Sequence, residues 1–248
     1  MESAIPSLPI RAWRAWRERG SRYAWHKALR RTLEPWPGLK RRLVYSDPRL
    51  YWTLRGGRDY FREQEAQAQR SLRSEWLADR IASYQPRSVL EIGCGYGKQL
   101  AALRRRLGSD VRLVGVDFSP TQLAQAQRFL AGQPGIELVL GSGDQLPFVD
   151  GSFELTMTSA VILHNPPEIA ERMRREAMRV SSLWTVHNED VNTSYNRYGY
   201  DTAAWYRSQG LPVREAGPIP LPDPEESAAS QFCAAGPWSS LVAAGSKV

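Results

Sequence analysis

Two cysteines in 248 residues, Cys94 and Cys233, are too few for a disulfide framework, and their separation matches no metal-ligand spacing. Histidine is scarcer than chance would give: only His26, His164 and His187 are present. The one stretch that joins histidine to carboxylates, His187, Glu189 and Asp190, is no recognised ligand motif, so no metal is expected. Long apolar runs are missing too. The longest, Leu155 to Leu163, is broken by Thr156, Thr158 and Ser159 and is too short to span a bilayer. The first residues hold Pro6 and Pro9 and then arginines, without the apolar stretch of a signal peptide. A reducing, cytoplasmic setting is the expectation from these absences.

What is present is distributed unevenly. The net charge is +7, yet residues 1–60 carry 14 Lys or Arg against 5 Asp or Glu, a net of +9. The remainder carries 19 against 21, a net of −2. The length suits one α/β domain with an addition. The chain therefore divides into a basic, tryptophan-rich N-terminal extension over 1–60 and a second domain over 61–248. The extension holds Trp13, Trp16, Trp25 and Trp36, and Ile10 to Leu33 contains no proline. That segment predicts one or two basic amphipathic helices with a break at Gly20. Three roles fit such a segment. Its aromatics can pack as a cap over a substrate cleft with the arginines solvated. It can lie on a membrane surface, suited to a lipid or lipid-linked substrate. Or it can bind a polyanion or an acidic carrier protein, although no nucleic-acid-binding module is recognisable. Beyond it, Pro37-Gly38, Asp47-Pro48 and Gly56-Gly57 mark turns. Helical spacing then runs from Tyr60 to Tyr84, with Leu72, Trp76, Leu77 and Ile81 on one face. Tyr51, Trp52, Arg55, Tyr60 and Phe61 form an aromatic and basic cluster that either packs the extension or lines a pocket.

The chemistry starts at Ser88-Val89-Leu90-Glu91-Ile92-Gly93-Cys94-Gly95-Tyr96-Gly97: a short apolar strand with an acid, then three glycines at alternate positions. A helix follows over Lys98–Leu107 with Leu100, Leu103 and Leu107 on one face. A glycine-rich strand-to-helix turn lets a ligand approach the backbone closely. A dinucleotide site would need G-x-G-x-x-G, but Lys98 occupies the place of the third glycine. Glu91 also suits a cationic ligand better than a diphosphate. A second strand, Val111 to Asp117, ends in an acid able to accept both hydroxyls of a ribose. Phe118 follows, placed to lie against an adenine face. Ser119 and Pro120 then open a helix containing Leu123, Ala126, Phe129 and Leu130. A third strand spans Ile136 to Leu140, and a fourth leads from Asp150-Gly151-Ser152-Phe153 to about Ala160.

In these motifs and their order the sequence resembles the class I S-adenosylmethionine-dependent methyltransferases of small-molecule type, over about Arg87 to Ala235. The resemblance implies a Rossmann-like seven-stranded, mostly parallel sheet closed by an antiparallel C-terminal strand pair, here Pro212 to Ile219 and Gln231 to Ala235, with a helical extension in front. It implies S-adenosyl-L-methionine as cofactor, held by Glu91, Gly93, Cys94, Gly95, Asp117, Phe118, Asp144 and Gln145. Within that set, the segment Gly141 to Phe148 resembles the family's adenine-contacting segment, with Asp144 accepting from the exocyclic amine. Glu154 stands where the family usually has aspartate.

Ligands in open α/β sheets bind beyond the carboxyl ends of the strands. Strand four runs into Val161-Ile162-Leu163-His164-Asn165-Pro166-Pro167, and a fifth strand, Leu183 to Val186, into His187-Asn188-Glu189-Asp190. A helix joins them over Pro167 to Val180. His164 and His187 are the catalytic candidates, since histidine is suited to take a proton at neutral pH. Asn165, Asn188, Glu189, Tyr195 and Tyr198 are the expected substrate contacts. The last two lie in a polar, aromatic loop, Asn192 to Asp201, expected to cover the cleft. The expected activity is methyl transfer to an O, N or C nucleophile of a small-molecule, lipid or sugar-type acceptor. The alternatives are a nucleic-acid methyltransferase and a cofactor-binding scaffold without turnover. Asn165-Pro166-Pro167 is followed by Glu168 rather than the stacking aromatic of amino-methylating enzymes.

Overall fold

The computed structural model describes residues 8–57, 60–64 and 71–238, with side chains from residue 20 onward. Two compact units divide the chain. One comprises residues up to Arg55 together with Ser194–Asn196, and the other comprises Gly56–Thr193 and Arg197–Val248.

In the first unit α1 (Leu8–Thr32) is interrupted at Gly20, whose φ of 82° is open to glycine at no steric cost. The side chains of Trp13 and Trp16 lie outside the described residues. α2 (Pro37–Val44) and α3 (Pro48–Arg55) each start on a proline, where the missing N–H costs nothing. Tyr23, Leu33, Val44, Tyr45 and Tyr51 are buried. Lys40 is buried with them, paired with Glu34 and lying 3.9 Å from the centre of the Tyr195 ring. Trp25 and Trp36, by contrast, are exposed.

The second unit is built on one seven-stranded sheet in the order β3-β2-β1-β4-β5-β7-β6. The strands are β1 (Ser88–Ile92), β2 (Arg112–Asp117), β3 (Ile136–Leu140), β4 (Phe153–Ser159), β5 (Ser181–Asp190), β6 (Val213–Pro218) and β7 (Ser230–Ala235). β1 to β5 pair in parallel, while β7 runs antiparallel to both of its neighbours, β5 and β6. Helices α4 (Leu72–Ala82), α5 (Lys98–Leu107) and α6 (Pro120–Phe129) supply Leu77, Leu100 and Ala126 to the cluster that covers Val89, Leu155, Met157 and Val186. The opposite face, with Leu90, Ile92, Val116 and Phe153, takes Ala170, Met173 and Ala177 of α7 (Pro167–Val180). Two short helices, α8 (Thr202–Ser208) and α9 (Pro224–Ala229), complete the unit.

Local rules explain most ends. Ser119 caps α6 by accepting from Gln122 N, and Asp201 and Asp223 cap α8 and α9 in the same manner. Glu154 earns its extra methylene at the amino edge of the sheet, where it accepts from both Arg87 N and Arg87 Nε. Three expectations need correction. Leu72 is exposed rather than inward, because it is the first helical residue after the Ser71 cap. Ile219, expected to end a strand, is fully buried just beyond β6, which stops at Pro218. β5 is ten residues long rather than four, so His187, Asn188 and Glu189 are inside a strand flanked by β4 and β7.

Candidate active site

The turn after β1 is tied down by the end of β2. Gly93 N and Cys94 N both donate to Val116 O, at 2.7 and 3.0 Å, and Gly95 N donates to Asp117 Oδ2 at 2.9 Å. A methyl group on Gly93 would come within 2.6 Å of Val161 Cγ1, so this glycine is required by the chain leaving β4. Gly95 differs. Its φ of +56° still favours glycine, yet a methyl group there would meet nothing closer than Gln122 Nε2 at 3.5 Å. The open approach to the backbone is therefore at Gly95. The Cys94 side chain points the other way, into the space left by Gly115 on β2, so only its backbone belongs to the turn.

Two acids converge beside this turn. Glu91 is buried, its Oε2 has no hydrogen-bond partner, and burial, with the charge of Asp117, pushes its carboxyl well above the usual range. Asp117 is also raised by burial, offset by donors from Ser119 N (2.8 Å) and Gly95 N. Each of its oxygens thus holds one protein donor and keeps a lone pair for another. Phe118 follows, half-buried. On the loop after β3, Asp144 accepts from Ser142 Oγ and pairs with Arg172 Nη2 at 3.0 Å, fixing the loop to α7. Gln145 is exposed.

At the end of β4 the chain turns through Ala160, a non-glycine residue at φ +55°, into a 3₁₀ turn, Ile162–His164. Val161 N and Leu163 N donate to Glu189 Oε2, at 3.0 and 3.1 Å. The far side of the turn is held as well. Asn165 Nδ2 donates to Val161 O at 2.8 Å, Tyr198 N to Leu163 O at 2.7 Å, and the Tyr200 hydroxyl to Asn165 O at 2.8 Å. Tyr198 and Tyr200 lie with ring planes 6° apart. The half-buried His164 is thereby presented at the carboxyl edge of β4, next to Val161, which packs on Gly93.

Four of the expected site residues are held within the protein instead. His187 is fully buried: Nδ1 bonds with Thr158 Oγ1 at 2.8 Å and Nε2 with the Tyr206 hydroxyl at 2.7 Å. Burial, reinforced by the charge of Arg174, lowers its pKa to about 3. It is a neutral core residue and no longer a catalytic candidate. Glu189 is likewise buried and spends its oxygens on the protein, so it is not free to anchor a substrate. Tyr195 belongs to the N-terminal unit, where its hydroxyl meets that of Tyr51 at 2.9 Å. Asn188 is buried with Nδ2 on Ser159 Oγ and with Oδ1 lacking a protein partner.

Sequence reasoning missed two supports. Gln122 is buried against the turn and accepts from Gly57 N at 2.9 Å. Tyr96, inside the turn, meets Tyr60, Phe61 and Phe129 at ring separations of 5.2–6.2 Å. The clustering of Tyr60 and Phe61 was the available signal, but their partners are distant in sequence.

Residues 89–182 match the family described as a methyltransferase domain. Over 80 residues the chain is 34% identical to a demethylmenaquinone methyltransferase of Staphylococcus aureus strain MRSA252, covering 32% of this chain and 33% of that protein. The matched segment spans 32% to 43% of the length of the first curated relatives. Among solved structures, a protein of Pyrococcus horikoshii OT3 superposes with a TM-score of 0.59 at 16% identity, covering 73% of this chain and 100% of that one. The 1,6-didemethyltoxoflavin-N1-methyltransferase of Burkholderia thailandensis gives 0.56 at 13% identity, covering 77% and 91%. Both share the fold.

Proposed function

We propose, for a chain that carries a class I S-adenosylmethionine-dependent methyltransferase domain, that it transfers the methyl group of S-adenosyl-L-methionine to an O, N or C nucleophile of a small-molecule, lipid or sugar-type acceptor. The supporting observation is the turn Glu91–Gly97 with Asp117 beside it. The open backbone at Gly95 and the unpartnered, buried Glu91 Oε2 fit a ligand that brings both bulk and a donor or positive charge. The spare lone pairs of Asp117 suit two ribose hydroxyls, and Asp144 stands on the loop after β3 where the resemblance implies the adenine amine. The cofactor supplies a methyl carbon already activated by sulfonium, so orienting the acceptor accounts for much of the rate. His164, on its clamped turn, is placed to take a proton from a hydroxyl, a protonated amine or an acidic carbon. The acceptor is tested by incubating the protein with methyl-labelled cofactor and fractionated extract. Label in a small-molecule or lipid fraction is expected. Label in RNA would favour a nucleic-acid enzyme, and cofactor binding without any transfer would favour a scaffold.

The same reading extends to where the acceptor is met. In the N-terminal unit Trp36, Leu39 and Leu43 recur at i, i+3 and i+7 along α2 and are 58%, 46% and 51% exposed; Trp25 on α1 is 68% exposed. In sequence, residues 1–55 carry 13 Lys or Arg against 4 Asp or Glu. An exposed apolar row with tryptophan, within a basic segment, suits the interface of an anionic bilayer. Among the described residues no helix is long and apolar enough to cross a membrane. The protein should co-sediment with phosphatidylglycerol-containing vesicles and far less with pure phosphatidylcholine. Replacing Trp36, Leu39 and Leu43 with serine should abolish that binding, and retention by the triple variant would refute the surface.

A further inference from the structure

We propose that Glu189 is the positioning residue of the His164 turn: a carboxylate buried inside β5 that fixes both the turn and the proton direction of the hydrogen-bond chain behind it. The inference rests on the reading that this turn receives the methyl acceptor.

The geometry begins with the unexpected length of β5. Because the strand continues to Asp190, with Glu189 paired to Gln231 of β7, the Glu189 side chain stays under the end of β4. The first N–H groups of a helical turn have no partner within the turn itself. Here Val161 N and Leu163 N, two residues apart, both reach the one carboxylate oxygen Oε2. The other oxygen takes the Thr158 hydroxyl at 2.7 Å. Ala160, between Thr158 and this turn, holds a left-handed conformation that costs an alanine energy. Glu189 grips the chain on both sides of that bend.

Proton counting fixes the rest. Thr158 has one hydroxyl proton and two neighbours, Glu189 Oε1 and His187 Nδ1. An ionised carboxylate only accepts, so the Thr158 proton goes to Glu189 and His187 must donate from Nδ1. His187 Nε2 then accepts from the Tyr206 hydroxyl, whose oxygen accepts from Thr185 Oγ1 at 2.9 Å. When ionised, above about pH 7, the carboxylate sets the direction of the whole chain from Thr185 to Glu189.

Glutamine can satisfy the same contacts only by reversing them. Its amide nitrogen would donate to Thr158, Thr158 to His187 Nδ1, and His187 Nε2–H to Tyr206. Its oxygen would still receive Val161 N and Leu163 N. Glu189→Gln should therefore keep the turn and change the tautomer, whereas Glu189→Ala should release the turn.

The test uses the whole protein at pH 8.5, with histidine ring nitrogens and single-amide hydrogen exchange followed by NMR. The parent should show His187 protonated at Nδ1, and Glu189→Gln should show it at Nε2. In Glu189→Ala the amides of Val161 and Leu163 should exchange about a hundredfold faster, while Glu189→Gln stays within about tenfold of the parent. An unchanged His187 tautomer in Glu189→Gln overturns the proposal, as do protected Val161 and Leu163 amides in Glu189→Ala. Should Glu189→Ala fail to fold, the Glu189→Gln tautomer still decides. Neither readout needs a methyl acceptor, so failure of methyl transfer and failure of this positioning role are separable.

Discussion

Glu189→Gln also carries a stability signature whose size follows from the burial of the carboxyl. Burial pushes Glu189 up to about 7 from an ordinary 4.5, in spite of the donors from Thr158, Leu163, Ile162 and Val161. The charged group that interacts with it is Arg174 of α7, and His187 on its own strand is linked to it through the Thr158 hydroxyl. Between those two pH values the folded protein holds the Glu189 proton and the unfolded chain does not. Stability from this group is therefore complete below about pH 4.5 and is lost as pH rises through about 7. A rise from 4.5 to about 7 corresponds to about 3 kcal/mol across that window. Glutamine cannot titrate, so it removes the dependence, whatever constant offset the substitution adds. His187, lowered to about 3, loses stability in the opposite direction as pH falls, but it does so in both proteins and cancels in their difference. Urea unfolding of parent and variant, followed by tryptophan fluorescence at pH 4.5 to 8.5, measures the gap. The variant should gain on the parent by about 3 kcal/mol from the low to the high end. A gap that stays constant across the series would refute the assignment of a strongly raised carboxyl to Glu189.

Other substitutions address the cofactor turn and the acceptor edge. Asp117→Ala should weaken S-adenosylhomocysteine binding by about 1–3 kcal/mol, the worth of charge-assisted hydrogen bonds, and unchanged calorimetric affinity would count against the ribose role. His164→Ala should slow methyl transfer at least tenfold while leaving that affinity near the parent's; equal rates would remove it as the base. Gly93→Ala, which would drive a methyl group against Val161, should lower stability by about 1–3 kcal/mol, whereas Gly95→Ala should lose more cofactor affinity than stability. Thermal melts and calorimetry on the same two proteins separate these effects.

The strand-to-helix turn, the acid ending β2, the Ser119 cap and the helix over Pro167–Val180 were legible because each is written in a few consecutive residues. Capping, glycine spacing and apolar periodicity are local signals. β5 was not legible for the opposite reason. His187-Asn188-Glu189-Asp190 has the polarity of a loop, and nothing nearby says that Thr158, Ser159, Tyr206 and Ser230 will receive those side chains. Its strand character comes from pairing with β4 on one side and β7 on the other, both remote in sequence. Tertiary pairing overrode the local pattern. The substrate side of the site suffered most from this, since the error moved His187 and Glu189 from an open edge into the core.

That correction changes how the two halves of the site relate. With His187 and Glu189 facing solvent, the acceptor side would be a collection of independent side chains along two strand edges. With Glu189 buried, it becomes one turn held from beneath, and the same turn supplies Val161, which occupies the space that a side chain on Gly93 would need. Gly93 is thus explained by the turn after β4, and the position of that turn by a carboxylate one strand away. An in-line displacement tolerates little error between donor and acceptor. Under the proposed function, packing Val161 on Gly93 and tying Val161 N to Glu189 would set that separation with a strand end, and His164 is the titratable side chain of the turn itself.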